Sequence, residues 1–349
     1  MNYRNLGRTG VQISPLCLGC MNFGGRTSEA DSIQIIHRAL EAGINFVDTA
    51  NVYGYDSTNY TAGEGKSEEI VGAALKQGNT RSQVILATKV HFSMSDDPNA
   101  SGNSRRHIIE QCEASLRRLQ TDCIDLYQLH HPSNEVPIDE TLRALDDLIH
   151  AGKVRYIGVS AFAAWQIVES LWVSKEHGLN RIVAEQPPYH LLDRRPEREL
   201  IPMAQTYGIA ILPYSPLAGG FLAGIYRRGE SLPAGSRFKE FWTGTGKTHM
   251  IPAAFDVLDV VEAIAGEKGY SPAQLALAWC AQQPGVTSPI IGPRTSEQLE
   301  DCLGALNIKL APDDIARLDE VAPPGRVTVP YYGIDGLART TWGPHQFHW

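Results

Sequence analysis

No stretch of this 349-residue chain approaches the ~20 consecutive apolar residues that a membrane-spanning helix needs. Its opening, MNYRNLGRTGVQISP, has neither the apolar segment nor the small-residue cleavage site of a secretory leader, so a cytoplasmic location is expected. Basic residues are in deficit: 31 Lys and Arg stand against 39 Asp and Glu, a formal charge of −8. Nucleic acids and anionic membranes are bound through clustered cations, so neither is an expected partner, although a local basic pocket stays compatible with this balance. Cysteine is scarce. The six (Cys17, Cys20, Cys112, Cys123, Cys280 and Cys302) read as reduced thiols rather than a disulfide framework. Cys17-Leu18-Gly19-Cys20 has no second pair at ligand spacing, and the 11 His show no H-E-x-x-H, which argues against a metal site. The Asn59-Tyr60-Thr61 sequon carries no weight without a secretion signal.

What is present is a large apolar fraction, 43%, enough for either two ordinary domains or one α/β barrel of about 250 residues with insertions. After a hairpin candidate from Tyr3 to Ile13, short apolar runs alternate with stretches of helical period. The runs are Leu16 to Gly19, Ile44 to Asp48, Val84 to Thr88, Ile124 to Leu129, Tyr156 to Val159, Arg181 to Glu185, Ile209 to Leu212 and Pro289 to Ile291. Ile33, Ile36, His37 and Leu40 share one helix face after the first run, and a helix near Ser67 to Gln77 follows the second. Ile108, Cys112, Leu116 and Leu119 form a stripe after the third, as do Leu142, Leu145 and Ile149 after the fourth.

Eight repeats of strand then helix, with no linker or composition break, predict an α/β chain folded as a (β/α)8 TIM barrel, one domain over 1–349. A doubly wound sheet is the rival, but its first strand should lead into G-x-G-x-x-G, and here it leads into Gly-Cys-Met-Asn-Phe-Gly-Gly. Long segments at Gly54 to Gly65, His91 to Ser104 and Gly224 to Met250, with a tail over 323–349, interrupt the repeat and are expected to carry specificity. In the tail, Tyr331, Tyr332, Trp342, Phe347 and Trp349 suit a pocket, the barrel wall or another subunit equally. Gly65-Lys66-Ser67 and Gly246-Lys247-Thr248 end like phosphate-binding P-loops, but Tyr60 and Phe241 occupy the glycine positions required upstream.

Side chains just past the C-terminal ends of barrel strands converge on one opening. Asp48, Tyr53, Lys89, His130, Ser160, Gln186 and Tyr214 all fall there. Taken singly, a Lys–Asp pair or a His at such a place is usually structural. Together they make a proton donor: an ammonium beside a phenol stabilises the phenolate, a carboxylate holds that ammonium, and an imidazole bonds the carbonyl oxygen that takes the proton. No side chain supplies hydride, so this chemistry implies a reduced nicotinamide over the same opening.

These residues resemble the aldo-keto reductase family over nearly the whole chain. Asn45-Phe46-Val47-Asp48-Thr49-Ala50 with Tyr53-Gly54, Ala87-Thr88-Lys89, Asp125-Leu126-Tyr127-Gln128-Leu129-His130 and Gly158-Val159-Ser160 look like its best-known signatures in order, and Tyr214-Ser215-Pro216-Leu217 like a fifth. Within the family, Ser215 to Tyr226 and Gly292 to Leu303 look most like the branch holding bacterial reductases and potassium-channel β subunits. The resemblance implies an NADPH-dependent carbonyl reductase acting on a small carbonyl or alcohol, with NADH the lesser cofactor. By it, Tyr53 is the acid, Lys89 and Asp48 tune it, and His130 positions the carbonyl. Cys20, Met21, Ser160 and Gln186 match nicotinamide-side positions, and Tyr214 the aromatic that stacks on the ring. Ser215, Leu217 and Gly219 match a pyrophosphate cradle. Arg237, Arg294, Gln298 and Asp301 match the adenosine end, where a guanidinium fork suits a 2′-phosphate.

Two positions depart from the family pattern. Ala161 stands where many members carry Asn, and Asp301-Cys302 where many carry Glu-Asn, which implies fewer contacts to the carboxamide and the adenine. Two other function classes are weighed against the reductase. One is a redox sensor or adaptor that holds the cofactor, as in channel β subunits. The other is a Schiff-base aldolase or isomerase built on Lys89.

Overall fold

The computed structural model describes residues 1–54, 65–240 and 249–330. A two-stranded antiparallel hairpin, β1 (Arg4–Asn5) and β2 (Gln12–Ile13), precedes the barrel strands. These are β3 (Cys17–Gly19), β4 (Phe46–Asp48), β5 (Ile85–Val90), β6 (Ile124–Leu129), β7 (Val154–Ser160), β8 (Ile182–Gln186), β9 (Ala210–Ile211) and β10 (Ile290–Ile291). All pair in parallel, each with its sequence neighbour, and β10 pairs with β3. The ring closes through Thr287 N to Ile211 O (2.8 Å) and Ile290 N to Pro213 O (2.8 Å). The eight expected strands and the hairpin are all present, with ends displaced by a residue or two.

Alternation along these strands sorts the side chains. Cys17, Phe46, Ala87, Leu126, Ala184 and Ala210 fill the barrel interior, and Leu6 and Ile13 of the hairpin plug its N-terminal end. Arg8 N to Gly208 O (2.9 Å) and Ser14 N to Asn45 Oδ1 (2.7 Å) pin that plug. The opposite faces of the strands pack against helices α1 (Glu29–Glu41), α2 (Lys66–Gln77), α3 (Arg105–Leu119), α4 (Ile138–His150), α5 (Ala164–His177) and α6 (Leu200–Tyr207). Further helices span Pro252–Lys268, Pro272–Gln282, Ser296–Gly304 and Pro312–Val321.

The helix starts follow local chemistry. Ser28, Ser104, Ser271 and Thr295 each accept a backbone N–H of the first turn through their hydroxyl. On α3 the stripe Ile108, Cys112, Leu116 and Leu119 is buried as its spacing predicts. On α1 the buried face is Ser32, Ile35, Ile36 and Ala39, rotated from the expected one. Small Ser and Ala let the helix lie close to the barrel. Ile33 and Leu40 move to the margin, and His37 turns its Nε2 to Ala74 O on α2 (2.9 Å). On α4, Leu148 takes the fully buried place expected for Ile149.

Of the long segments, 91–104 is an irregular loop tied by Gly102 N to His91 O (2.6 Å), and its Phe92 and Met94 pack beside Tyr53. The tail begins by pairing with the loop after β8, through Thr328 N and Val329 N to Leu192 O (2.9 and 3.0 Å). The 55–64 and 241–248 stretches lie outside the described residues. So do the Asn59 sequon, the Gly246-Lys247-Thr248 string and the tail aromatics from Tyr331 to Trp349. Among the described residues, no helix is long and apolar enough to cross a membrane.

Candidate active site

One layer above the apolar interior, the inward positions of the strands turn polar: Asp48 on β4, Lys89 on β5, Gln128 on β6 and Gln186 on β8. Register sets Lys89 beside Gln128 and Gln128 beside Gly158. Burial makes every polar atom in this layer costly unless it is bonded, so the contacts there are informative. The Lys89 ammonium uses its three protons on Asp48 Oδ1, Thr49 O (2.9 Å) and Tyr53 Oη (3.4 Å). Asp48 Oδ2 accepts from Gln128 Nε2 (3.0 Å) and Gln186 Nε2 (2.7 Å). The carboxylate therefore keeps full hydrogen bonding although it is shielded from water.

Tyr53 lies just beyond β4, 7% exposed, against Ala50, Val52, Met21, Phe92 and Met94. Its Oη is 3.3 Å from His130 Nε2, with the two rings edge to face. Burial, then the Lys89 charge, then the neighbouring His131 and His91 hold the His130 imidazole well below its usual range, so it is neutral. His131 is pushed down to about 3 by burial and then by His91. Phenol, ammonium and neutral imidazole thus meet at one point, and a carbonyl oxygen placed there would find a proton and a second donor.

Ser160 ends β7 and donates its hydroxyl to Gln186 O (3.1 Å). Tyr214 continues β9, half-buried, with its N bonded to Pro187 O (3.0 Å). Beyond it the backbone enters the left-handed region at Ser215, Ala218, Gly219 and Gly220, in a tight turn where Ala218 N donates to Ser215 O (2.8 Å) and Gly220 N to Leu217 O (3.0 Å). Leu217 opens the 3₁₀ turn Ala218–Ala223. Arg294 Nη1 reaches Gly235 O (3.2 Å), and Arg26 donates to the same carbonyl. Arg237 Nη2 reaches Met21 Sδ (3.5 Å). Arg26, Arg237 and Arg294 are close enough that the other two charges, after burial, lower the Arg26 pKa.

The expected tetrad is brought together by direct contacts, and Gln186 joins it through Asp48. Gln298 accepts from Arg294 N through Oε1 (2.8 Å). Asp301 is directed elsewhere: both its carboxylate oxygens accept from Ser271 Oγ (2.8 and 3.0 Å), the N-cap of the preceding helix Pro272–Gln282. Cys20 is buried with its thiol on Leu18 O (3.7 Å), and burial raises its pKa well above the usual thiol value. All six cysteines are free. Gln128 and Arg26 are the residues that sequence reasoning passed over. The signal for Gln128 was its place midway between the inward Leu126 and His130, while Arg26 had only its place after a strand end.

Comparison with known proteins places this geometry. The chain is 39% identical to the uncharacterised oxidoreductase YrpG of Bacillus subtilis, over 95% of this chain and 99% of that protein. It is 35% identical to a probable voltage-gated potassium channel subunit beta of Oryza sativa subsp. japonica, over 92% of this chain and 96% of the relative. To the versiconal hemiacetal acetate reductase of Aspergillus parasiticus it is 34% identical, with the same coverage. The model for the Aldo/keto reductase family matches residues 15–323, and the chain belongs to that family.

Proposed function

We propose that the protein is an NADPH-dependent reductase of aldehydes or ketones, working reversibly, with Tyr53 as the proton donor. The observation that carries this reading is the approach of Lys89 Nζ and His130 Nε2 to Tyr53 Oη, at 3.4 and 3.3 Å. The two relatives named as an oxidoreductase and a reductase support it.

The residues present suit a dinucleotide. Gln186 Oε1 has no protein partner among the described residues, and with Ser160 it would hold the carboxamide. Cys20, Met21 and Tyr214 would flank the nicotinamide ring. The backbone around Ser215, Leu217 and Gly219 would take the pyrophosphate. Arg237, Arg294 and Gln298 would take the adenosine phosphate, with Asp301 bonded instead to Ser271. Three clustered guanidinium groups favour the extra charge of NADPH over NADH.

When bound, the cofactor supplies the hydride for the carbonyl carbon. The chain handles the proton. Tyr53 Oη gives its proton to the carbonyl oxygen, which completes the alcohol, and Lys89 stabilises the charge left on Oη. Asp48 keeps the ammonium in place. His130, neutral, donates from Nε2 to the same oxygen without adding a second cation beside Lys89. Phe92 and Met94 line the approach and reduce access of water.

Replacing Tyr53 by Phe should lower kcat by about 100-fold or more while NADPH binding, followed by fluorescence titration, stays within about twofold. Unchanged turnover would reject Tyr53 as the acid. Titration with NADPH and NADH, then a panel of carbonyls and alcohols, reads cofactor and direction. A second reading, a cofactor-holding subunit of a larger assembly, is favoured by the relatives named as channel β subunits. Slow cofactor exchange with a stable protein partner would support it, and rapid multiple turnover on ordinary aldehydes would count against it.

A further inference from the structure

Gln128, on β6, is wholly buried and is bonded at both ends of its amide. Its Nε2 donates to Asp48 Oδ2 (3.0 Å) and its Oε1 accepts from Gln186 Nε2 (2.9 Å), while Gln186 Nε2 also donates to Asp48 Oδ2 (2.7 Å). The direction of these bonds follows from one charge. An ionised carboxylate only accepts, so Asp48 draws the nitrogen end of both amides toward itself. With the Gln128 nitrogen committed to Asp48, its oxygen is left for the second proton of Gln186 Nε2. Both Gln186 protons are then used inside the barrel. The space for this arrangement is built in: a Cβ at Gly158, the register neighbour of Gln128, would come within 3.1 Å of Gln128 Cγ and 3.2 Å of Ala184 O. A larger residue at position 158 would press on the Gln128 side chain.

We infer that Gln128 is a positioning residue that fixes the orientation of Gln186, so that Gln186 presents its oxygen and not its nitrogen to the nicotinamide carboxamide. This rests on the cofactor reading above. The site then takes a group that donates: the carboxamide NH2 satisfies Oε1, and a cofactor whose carboxamide is replaced by a methyl ketone leaves that oxygen unpaired. An unpaired buried acceptor costs on the order of 1–3 kcal/mol, so the discrimination is about tenfold or more. Without Gln128, one Gln186 proton loses its partner, and the amide plane can turn to offer that proton to a carbonyl. Carboxamide and methyl ketone both carry a carbonyl, so the discrimination shrinks.

The test compares equilibrium dissociation constants of NADP+ and its 3-acetylpyridine analogue, by fluorescence quenching, for the full-length wild type, Gln128→Met and Gln128→Glu. The wild type should prefer NADP+ by about tenfold, and Gln128→Met by only about twofold. Gln128→Glu, protonated against the Asp48 carboxylate, donates to Asp48 through its hydroxyl, keeps its carbonyl oxygen facing Gln186 and should restore the wild-type preference. A merely structural role would weaken both ligands together and leave the ratio alone. Equal wild-type binding of the two ligands, or an unchanged ratio in Gln128→Met, overturns the assignment while the reductase reading stands. Failure of the wild type to bind either ligand overturns both. Thermal melting checks each variant, and Gln128→Leu replaces Gln128→Met should the latter not fold.

Discussion

Ala161 follows Ser160 at the barrel mouth with φ 60°, in the left-handed region. A residue with a Cβ is strained there by about 1–2 kcal/mol, and asparagine tolerates the conformation better because its short amide bonds locally. Ala161→Asn is therefore expected to raise the melting temperature or leave it unchanged. The new amide beside Ser160 should also tighten NADPH binding about threefold, read by fluorescence titration. Looser binding with a lower melting temperature would show that the mouth has no room for the side chain. Individual residues differed in how far the sequence exposed them. Asp48, Lys89 and His130 could be placed because they fall at strand ends. Gln128 could have been, since it falls two residues after the inward Leu126 and two before His130, which follows the strand's end. Arg26 could not, because the carbonyl it bonds is 209 residues away.

At the scale of elements, α2 and α3 are joined by a buried charge. Glu68 on α2, fully buried, accepts from Thr88 Oγ1 on β5 (2.5 Å) and from Arg118 Nε on α3 (2.6 Å). Removing one member leaves an uncompensated charge in the interior. Arg118→Ala is expected to cost about 3 kcal/mol in urea unfolding, and pairing Glu68→Met with Arg118→Leu should recover most of it. A loss below about 1 kcal/mol would mean that water reaches Glu68 in the variant. Strand existence was plain in the sequence because each strand is a short apolar run bounded by turn residues. The facing of α1 was not. Its apolar period admits two neighbouring stripes, and the choice of Ser32, Ile35, Ile36 and Ala39 depends on how closely the barrel lets the helix approach.

Across the whole molecule, buried imidazoles tie stability to pH. Burial pushes His131 down to about 3 and His190 to about 4, and His130 lies well below its usual range. In the unfolded chain each binds a proton near pH ~6.5. Between those values the unfolded state holds more protons than the folded one. Stability is thus fully present above about pH 6.5 and falls as pH drops toward 4 and then 3, by up to about 1.4 kcal/mol per pH unit for each imidazole. The urea midpoint should fall between pH 7.5 and pH 5.5, and His131→Asn should make that fall shallower. A midpoint flat across this range would contradict the buried, neutral state of these rings.

The order of strands and helices, the N-terminal hairpin and the identity of the three polar residues around Tyr53 were all determined by the sequence alone. They follow from periodicity and from position relative to strand ends, which are properties of neighbouring residues. Tertiary structure decided which polar atoms remain for a ligand. Asp48 turns two amides toward itself, Ser271 draws in Asp301, and Arg26 joins Arg294 at Gly235. Each of these choices is a competition between partners far apart in the chain, and only closure of the barrel brings the competitors within bonding distance.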